Sequence, residues 1–353
     1  MRHPLSHVIF EVTQECNLSC LYCYNHWRRR GYHPRKTDFR STLKTLKRVL
    51  KILNIKHITF TGGEPFLADG FLEMVLMCRM KGKGVTIISN GTSAEESDYN
   101  LLSDFKISLF EFPLHSENAV IHDKMAGKEG SFKKVLQSIR YLQRLNTDIC
   151  VVCVLTKLNI ELLRETLVFA ESIGIKKFML ARFNIGGRGI EHQEELLPSL
   201  QQLKSAFQTA NDFSMNSSMQ ISANVCVPCC IIDQKDYPGI AISHCSSDPM
   251  RKPITIDAFG DVRMCNHSPV ITGNIFRESI RSIFNSEYVK SWDTTTPLYC
   301  RDCVKWEKCR GGCRAASEQL GGSLLAEDPI VGLMKLVDQG ADPTPLLSSP
   351  STL

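Results

Sequence analysis

The chain contains no run of roughly 18 to 20 uninterrupted apolar residues, so nothing in it reads as a membrane-spanning helix, and Met1 to Val8 lacks the apolar core of a secretory signal. An excess of one charge is also missing. The 42 Lys and Arg against 37 Asp and Glu leave only +5, too dilute to argue for nucleic acid as a partner. A cytoplasmic protein, with neither membrane nor nucleic acid to bind, is the expectation. What the chain has in plenty is cysteine. Fifteen of its 353 residues are Cys, and a reducing compartment disfavours structural disulfides, which leaves metal binding or redox chemistry as their use.

From Val8 to Ala181 short β-branched or aromatic runs alternate with amphipathic stretches, the pattern of βα units around a parallel sheet. Strands are expected at Val8 to Val12, His57 to Thr61, Val85 to Ile88, Phe105 to Phe110, Ile149 to Leu155 and Lys177 to Ala181. Helices are expected from Thr42 to Leu53 behind a Ser41 cap, after Ser131, and from Ile160 to Ile173 with Gly174 as C-cap. Six units are too few for a closed eight-stranded barrel, so an α/β fold with a partial (β/α)6 barrel over residues 1–190 is expected, its chemistry on the C-terminal rim. A connecting helix over 191–223 leads to a small Cys-rich domain over 224–320, which holds nine of the fifteen cysteines. A last helix around Ile330 to Val337 and a disordered Pro/Ser/Thr-rich tail from Asp342 complete the expected organisation over 321–353.

Cys16, Cys20 and Cys23 form CxxxCxxC on the loop that follows the first strand. Three thiolates on a four-iron cluster leave one iron open to a cofactor. A small zinc site, with His26 as a fourth ligand, is the alternative for this motif alone. The segment ECNLSCLYCYN, with Tyr22 before the third cysteine, and TGGEP at Thr61 to Pro65 after the second strand together resemble the radical S-adenosylmethionine (radical SAM) enzymes. The resemblance implies a 4Fe-4S cluster on Cys16, Cys20 and Cys23, with S-adenosylmethionine chelating its open iron. It implies that Gly62, Gly63 and Glu64 receive the ammonium of that cofactor. Glycines allow close backbone approach and a carboxylate complements a cation. Polar residues at later strand ends, Ser89 and Asn90, Ser116, Asn159 and Arg182, are expected by the same resemblance to contact its ribose, adenine or carboxylate, although each taken alone also suits a turn or cap.

The later cysteines resemble the SPASM extension carried by many of these enzymes. Fourteen residues separate Cys245 from Gly260 and four more separate Gly260 from Cys265; Cys300, Cys303, Cys309 and Cys313 follow at intervals of two, five and three. A zinc ribbon is the alternative for the last four in isolation. The resemblance implies one or two auxiliary 4Fe-4S clusters: Cys300, Cys303 and Cys309 on the distal one, and Cys245, Cys265 and Cys313 on the proximal one. The proximal fourth ligand is expected in CVPCC, with Cys230 preferred to Cys226 and Cys229. The extension's seventh cysteine is absent. Asp328 falls near its place, and carboxylate ligation or an open iron is among the expectations there. Cys78, Cys150 and Cys153 read as ordinary buried residues.

The family resemblance implies reductive cleavage of S-adenosylmethionine to a 5′-deoxyadenosyl radical that removes hydrogen from an unactivated carbon. A ribosomally made precursor peptide is the expected substrate, with a crosslink, an epimerised or oxidised residue, or backbone excision as the product. The other readings are a radical SAM enzyme acting on a small molecule such as a tetrapyrrole, and a non-enzymatic iron-sulfur electron carrier or zinc-stabilised binding module. A low-potential donor such as flavodoxin or ferredoxin is implied. With only fifteen residues before Cys16, a separate leader-peptide-binding protein is also an expectation. His115 is the candidate proton donor or acceptor, with His122 and Asp123 beside it, and His267 adjoins the expected ligand Cys265.

Overall fold

The computed structural model describes residues 3–246, 248 and 250–332. The expected terminal helix lies mostly, and the expected tail wholly, outside them.

The first element, β1 (His7–Glu11), is followed by α1 (Phe39–Ile52), β2 (His57–Thr61), α2 (Phe71–Met80), β3 (Gly84–Ile88), α3 (Glu96–Asp104) and β4 (Leu109–Pro113). The chain continues through α4 (Ala119–Ala126), α5 (Ser131–Arg144), β5 (Ile149–Leu155), α6 (Leu163–Ser172) and β6 (Lys177–Arg182). These six strands pair in sequence order, all parallel, in the register Phe10, Phe60, Ile87, Phe110 at their centres. Their side chains, among them Val8, Phe10, Ile58, Phe60, Phe112 and Phe178, are fully buried against the apolar stripes of the helices. On α1 that stripe is Leu46, Val49 and Leu50; on α5 it is Val135, Leu136, Ile139 and Leu142. Each such side chain contributes about 1.5–3 kcal/mol on burial.

Two boundaries differ from the sequence expectation for identifiable reasons. Asp38, not Ser41, caps α1: its carboxylate accepts from the Ser41 backbone N–H at 3.0 Å, so the helix begins at Phe39. The fourth strand begins at Leu109 because Phe105 instead closes α3 and Lys106 turns the chain at a φ of 54°.

Past β6 come α7 (Gln193–Leu196), α8 (Leu200–Ser214), β7 (Gln220–Ala223), β8 (Ala241–Ile242), β9 (Ile254–Asp257), β10 (Asp261–Arg263) and β11 (Gly273–Asn274). The helices α9 (Ile280–Phe284), α10 (Glu287–Thr294), α11 (Trp306–Cys309) and α12 (Arg314–Gly321) follow. The sheet does not stop at the expected boundary near residue 224. β7 and β8 extend it beyond β6, while β9 returns to pair parallel with β1, giving the order β11-β10-β9-β1-β2-β3-β4-β5-β6-β7-β8. The Cys-rich segment therefore grips both edges of the barrel sheet. Arg263 of β10 forms a fully buried ion pair with Glu11 at the end of β1, which locks the two parts together where the first cysteine loop departs.

Candidate functional site

The loop carrying Cys16, Cys20 and Cys23 leaves the C-terminal end of β1 and is held by backbone bonds on two sides. Gly63 N–H donates to Thr13 O and Glu64 N–H to Glu15 O, each at 2.8 Å, while Ser19 and Leu21 donate to the carbonyls of Ala126 and Met125 at the end of α4. Only glycine fits at position 63, because a Cβ there would stand 1.9 Å from the Glu15 carbonyl oxygen and 3.1 Å from the Cys16 side chain. Burial raises all three thiol pKa values, that of Cys20 to about 12 and that of Cys23 to about 11, and the charges of Cys16 and Cys23 add to the rise at Cys20. Neutral thiols are therefore favoured until a metal centre draws them into thiolates.

Beside them Glu64 is fully buried. One carboxylate oxygen accepts from the Ser89 hydroxyl at 2.9 Å and from Phe66 N–H at 3.2 Å, the other from Asn90 N–H at 2.7 Å. Burial nevertheless lifts its pKa to about 7. Among the described residues no Lys, Arg or His pairs with it. A buried carboxylate fixed by three donors and lacking a cation is the environment that an incoming ammonium satisfies. Asn90 also reaches Asn17 at 2.8 Å and stands 3.9 Å from the Cys16 sulfur, so Ser89 and Asn90 brace both the carboxylate and the first thiol. Three thiols and such a carboxylate on one rim fit an iron-sulfur cluster with S-adenosylmethionine. A zinc site would need His26 as its fourth ligand, and that ring accepts from Arg263 at 3.3 Å.

The later cysteines fall into two groups. Cys226 shares hydrogen bonds with Cys245 and Cys313, which raise its own pKa and lower theirs, that of Cys245 to about 6; Cys265 lies within the field of the same Cys245 and Cys313. Burial raises Cys265 to about 12, and Lys252, buried with its ammonium 3.9 Å over the Trp292 ring, opposes that rise and adds to the lowering at Cys245. Asn184 donates to the Cys313 sulfur at 3.3 Å and contacts His267 Nδ1 at 2.8 Å, and that nitrogen is 3.5 Å from the same sulfur. Cys300, Cys303 and Cys309 form the second group, their fields overlapping at Cys300.

Two family models match this chain: the radical SAM superfamily over residues 10–170, and an iron-sulfur cluster-binding domain, SPASM, over residues 245–304. Its barrel segment belongs to the radical SAM superfamily. This radical SAM enzyme is 24% identical over 346 residues to the PqqA peptide cyclase of Rhodopseudomonas palustris, a match spanning 95% of this chain and 89% of the relative. It is 27% identical over 319 residues to the antilisterial bacteriocin subtilosin biosynthesis protein AlbA of Bacillus subtilis, spanning 87% and 66% of the two chains. Among solved structures, anSMEcpe with bound AdoMet and Kp18Cys peptide superposes with a TM-score of 0.72 at 19% identity, over 98% of both chains. SuiB of Streptococcus suis bound to precursor peptide SuiA superposes at 0.70 and 15% identity, over 93% of this chain and 75% of that one. The partial barrel with a Cys-rich SPASM extension is thus the fold of this radical SAM enzyme.

Several residues expected to serve its cofactor or substrate are engaged elsewhere. Arg182 donates to Asp328 at 2.6 Å and to the Cys226 carbonyl at 2.8 Å; it ties β6 to the Cys-rich segment and is not left to bind a cofactor carboxylate. Asp328 is engaged by protein donors: one oxygen accepts from Arg182 and from Cys313 N–H at 2.7 Å and the other from Ile330 N–H. Asn159 is saturated by Thr156 and by the carbonyls of His115 and Val154, and Ser116 by Glu117 and Asn118, so both shape the rim turns. His115 is buried, not a proton donor facing substrate. Its Nδ1 accepts from Val154 N–H at 3.3 Å, which puts its proton on Nε2, 2.7 Å from the Tyr22 hydroxyl; burial first, then His122, keep its pKa well below that of free histidine. His122 accepts from His115 N–H, and Asp123 caps the start of α5 through Gly130, Ser131 and Phe132. Cys230 is not with the proximal group: Cys226 is the thiol that meets Cys245 and Cys313. Sequence reasoning ranked Cys226 below Cys230 and missed Asn184 and Lys252, because which of three neighbouring thiols turns inward is decided by the fold around them. Cys78, Cys150 and Cys153 are buried.

Proposed function

We propose that this radical SAM enzyme modifies a ribosomally made precursor peptide, by crosslinking, epimerising or oxidising a residue or by excising backbone. The observation that carries the chemistry is the buried Glu64 carboxylate, held without a cation against the loop of Cys16, Cys20 and Cys23. Peptides as substrates are supported by the relatives, one named a peptide cyclase and matching 95% of this chain, and by the structural likeness to enzymes solved with peptide bound.

When bound, the cluster and S-adenosylmethionine supply on one-electron reduction the 5′-deoxyadenosyl radical that takes hydrogen from the substrate. Glu64 orients the ammonium, with Ser89 and Asn90 holding the carboxylate still. Tyr22, fixed by His115, keeps the loop between Cys20 and Cys23 in one conformation. Cys226, Cys245, Cys265 and Cys313 would hold the proximal auxiliary cluster. Asn184 would donate to the Cys313 thiolate, a bond that raises a cluster's potential.

The electron must come from an external low-potential donor of the flavodoxin or ferredoxin class. A cytoplasmic site suits the chain, none of whose fifteen cysteines is paired in a disulfide. No helix among the described residues is long and apolar enough to cross a membrane. The test is anaerobic: the reconstituted enzyme with dithionite should release 5′-deoxyadenosine and methionine, and co-expression with short peptides encoded nearby should give one peptide of altered mass. Absence of cofactor cleavage sinks the reading; turnover only after addition of a neighbouring protein identifies a separate leader-binding partner.

A further inference from the structure

The fourth strand carries a carboxylate that the site described above does not use. On β4, Phe110 and Phe112 are fully buried against the helices, so Glu111 between them faces the opposite, inner side of the sheet. The next strands continue that face: Glu111 stands beside Cys150 of β5, and Cys150 beside Lys177 of β6. With Leu109, Met179 and Ser222 these residues line a cleft of about 830 Å³. Ligand sites commonly measure about 300–1,000 Å³, so the cleft has room for a stretch of peptide. Glu111 and Lys177 are the charged residues of its lining, and the rest are apolar or neutral. Lys177 is already paired, its ammonium 2.9 Å from Asp148. Among the described residues no donor reaches the Glu111 carboxylate, and burial alone lifts its pKa to about 7. A carboxylate drawn out of water without a partner costs free energy that a cationic ligand recovers.

The main chain ties Glu111 to the cofactor end of the barrel. Ser89 N–H donates to the Glu111 carbonyl at 3.1 Å, and the hydroxyl of the same serine holds Glu64 at 2.9 Å. One residue thus fixes the position of Glu111 along the barrel against the carboxylate that receives S-adenosylmethionine. A group held by Glu111 is thereby placed in register with the reacting end.

We propose that Glu111 is a substrate-recognition residue, which binds the ammonium or guanidinium of a Lys or Arg side chain of the peptide lying in this cleft. The apolar stem of such a side chain packs on Leu109 and Met179 while its head reaches the carboxylate. Glu64 and Glu111 then divide two cations between them, the cofactor's and the substrate's.

This inference rests on peptides being the substrate, and its test separates the two. The full chain, reconstituted anaerobically and loaded with S-adenosylmethionine without reductant, is titrated into fluorescein-labelled Gly/Ser/Ala peptides that differ only in one central Lys, norleucine or Glu. By fluorescence anisotropy the Lys peptide should bind about tenfold more tightly than the norleucine peptide, and the Glu peptide least well. Glu111→Gln should abolish that preference and Glu111→Lys should turn it toward the Glu peptide, a reversal that a merely structural role does not produce. Equal affinity of the parent for the Lys and norleucine peptides, or an unchanged preference in Glu111→Gln, overturns the proposal. A second measurement needs no variant. The Lys peptide should shield Glu111 from carbodiimide-driven coupling to glycine methyl ester, read by peptide mass mapping, and the norleucine peptide should not; equal labelling with both overturns the assignment. A parent enzyme that cleaves the cofactor under dithionite yet binds none of the three peptides overturns the peptide reading itself.

Discussion

Glu64 is the residue on which most of the site's chemistry converges, and its titration is directly measurable. An ammonium prefers the carboxylate over the carboxylic acid, so with a pKa of about 7 the affinity for S-adenosylmethionine should rise as pH increases through 7. Glu64→Gln should weaken binding about 30-fold and flatten that dependence, read by anaerobic equilibrium dialysis or calorimetry. In the cofactor-free chain the sign for folding is opposite. The folded state keeps this proton longer than the unfolded one, with its value near 4.5, so stability falls as pH rises from about 4.5 to about 7 and levels off above. His115 should contribute no ionisation between pH 6 and 8. Tyr22→Phe, which deletes only the hydroxyl bonded to it, should cost about 1 kcal/mol in thermal unfolding and leave the pH profile of cofactor cleavage unshifted. The cysteines of the first loop and Glu64 were legible in sequence because motif and spacing specify them. Ser116, Asn159 and Arg182 were not, since a polar residue after a strand looks the same whether it meets a ligand or a neighbouring carbonyl, and only the packed rim decides.

At the level of elements, the six barrel strands could be read because buried parallel strands are short apolar runs bounded by turns, and the shift of β4 came from Phe105, apolar yet spent on ending a helix. What periodicity could not convey was pairing. β9 is four residues long, and nothing in ITID announces that it lies beside β1. The contact between β6 and the stretch after α12 was equally hidden, since it rests on the ion pair of Arg182 with Asp328, 146 residues apart in the chain. Removing one partner of such a buried pair strands the other charge. Asp328→Asn should therefore lower stability by about 3 kcal/mol in chemical denaturation while the iron content stays at that of the parent, and a loss of four iron atoms would instead restore Asp328 as a ligand.

Across the whole molecule, one eleven-stranded sheet carries the three cysteine groups, the first at the tip of β1 and the others in a segment that embraces both sheet edges. Gln319 of α12 ties them further, donating to the carbonyls of Tyr24 and His267 while accepting from Gly187 N–H. The barrel and the Cys-rich extension are thus joined by the shared sheet, by the Arg263–Glu11 ion pair and by Gln319. The account depends above all on the first site keeping one iron for the cofactor. Electron-nuclear double resonance on the reduced enzyme, with S-adenosylmethionine labelled with nitrogen-15 at its amino group, tests this most directly. A resolved coupling between that nitrogen and the cluster spin, lost when Cys16, Cys20 and Cys23 are replaced by alanine, is the predicted result. A cluster bound by four protein atoms, showing no coupling to the labelled nitrogen, would contradict it.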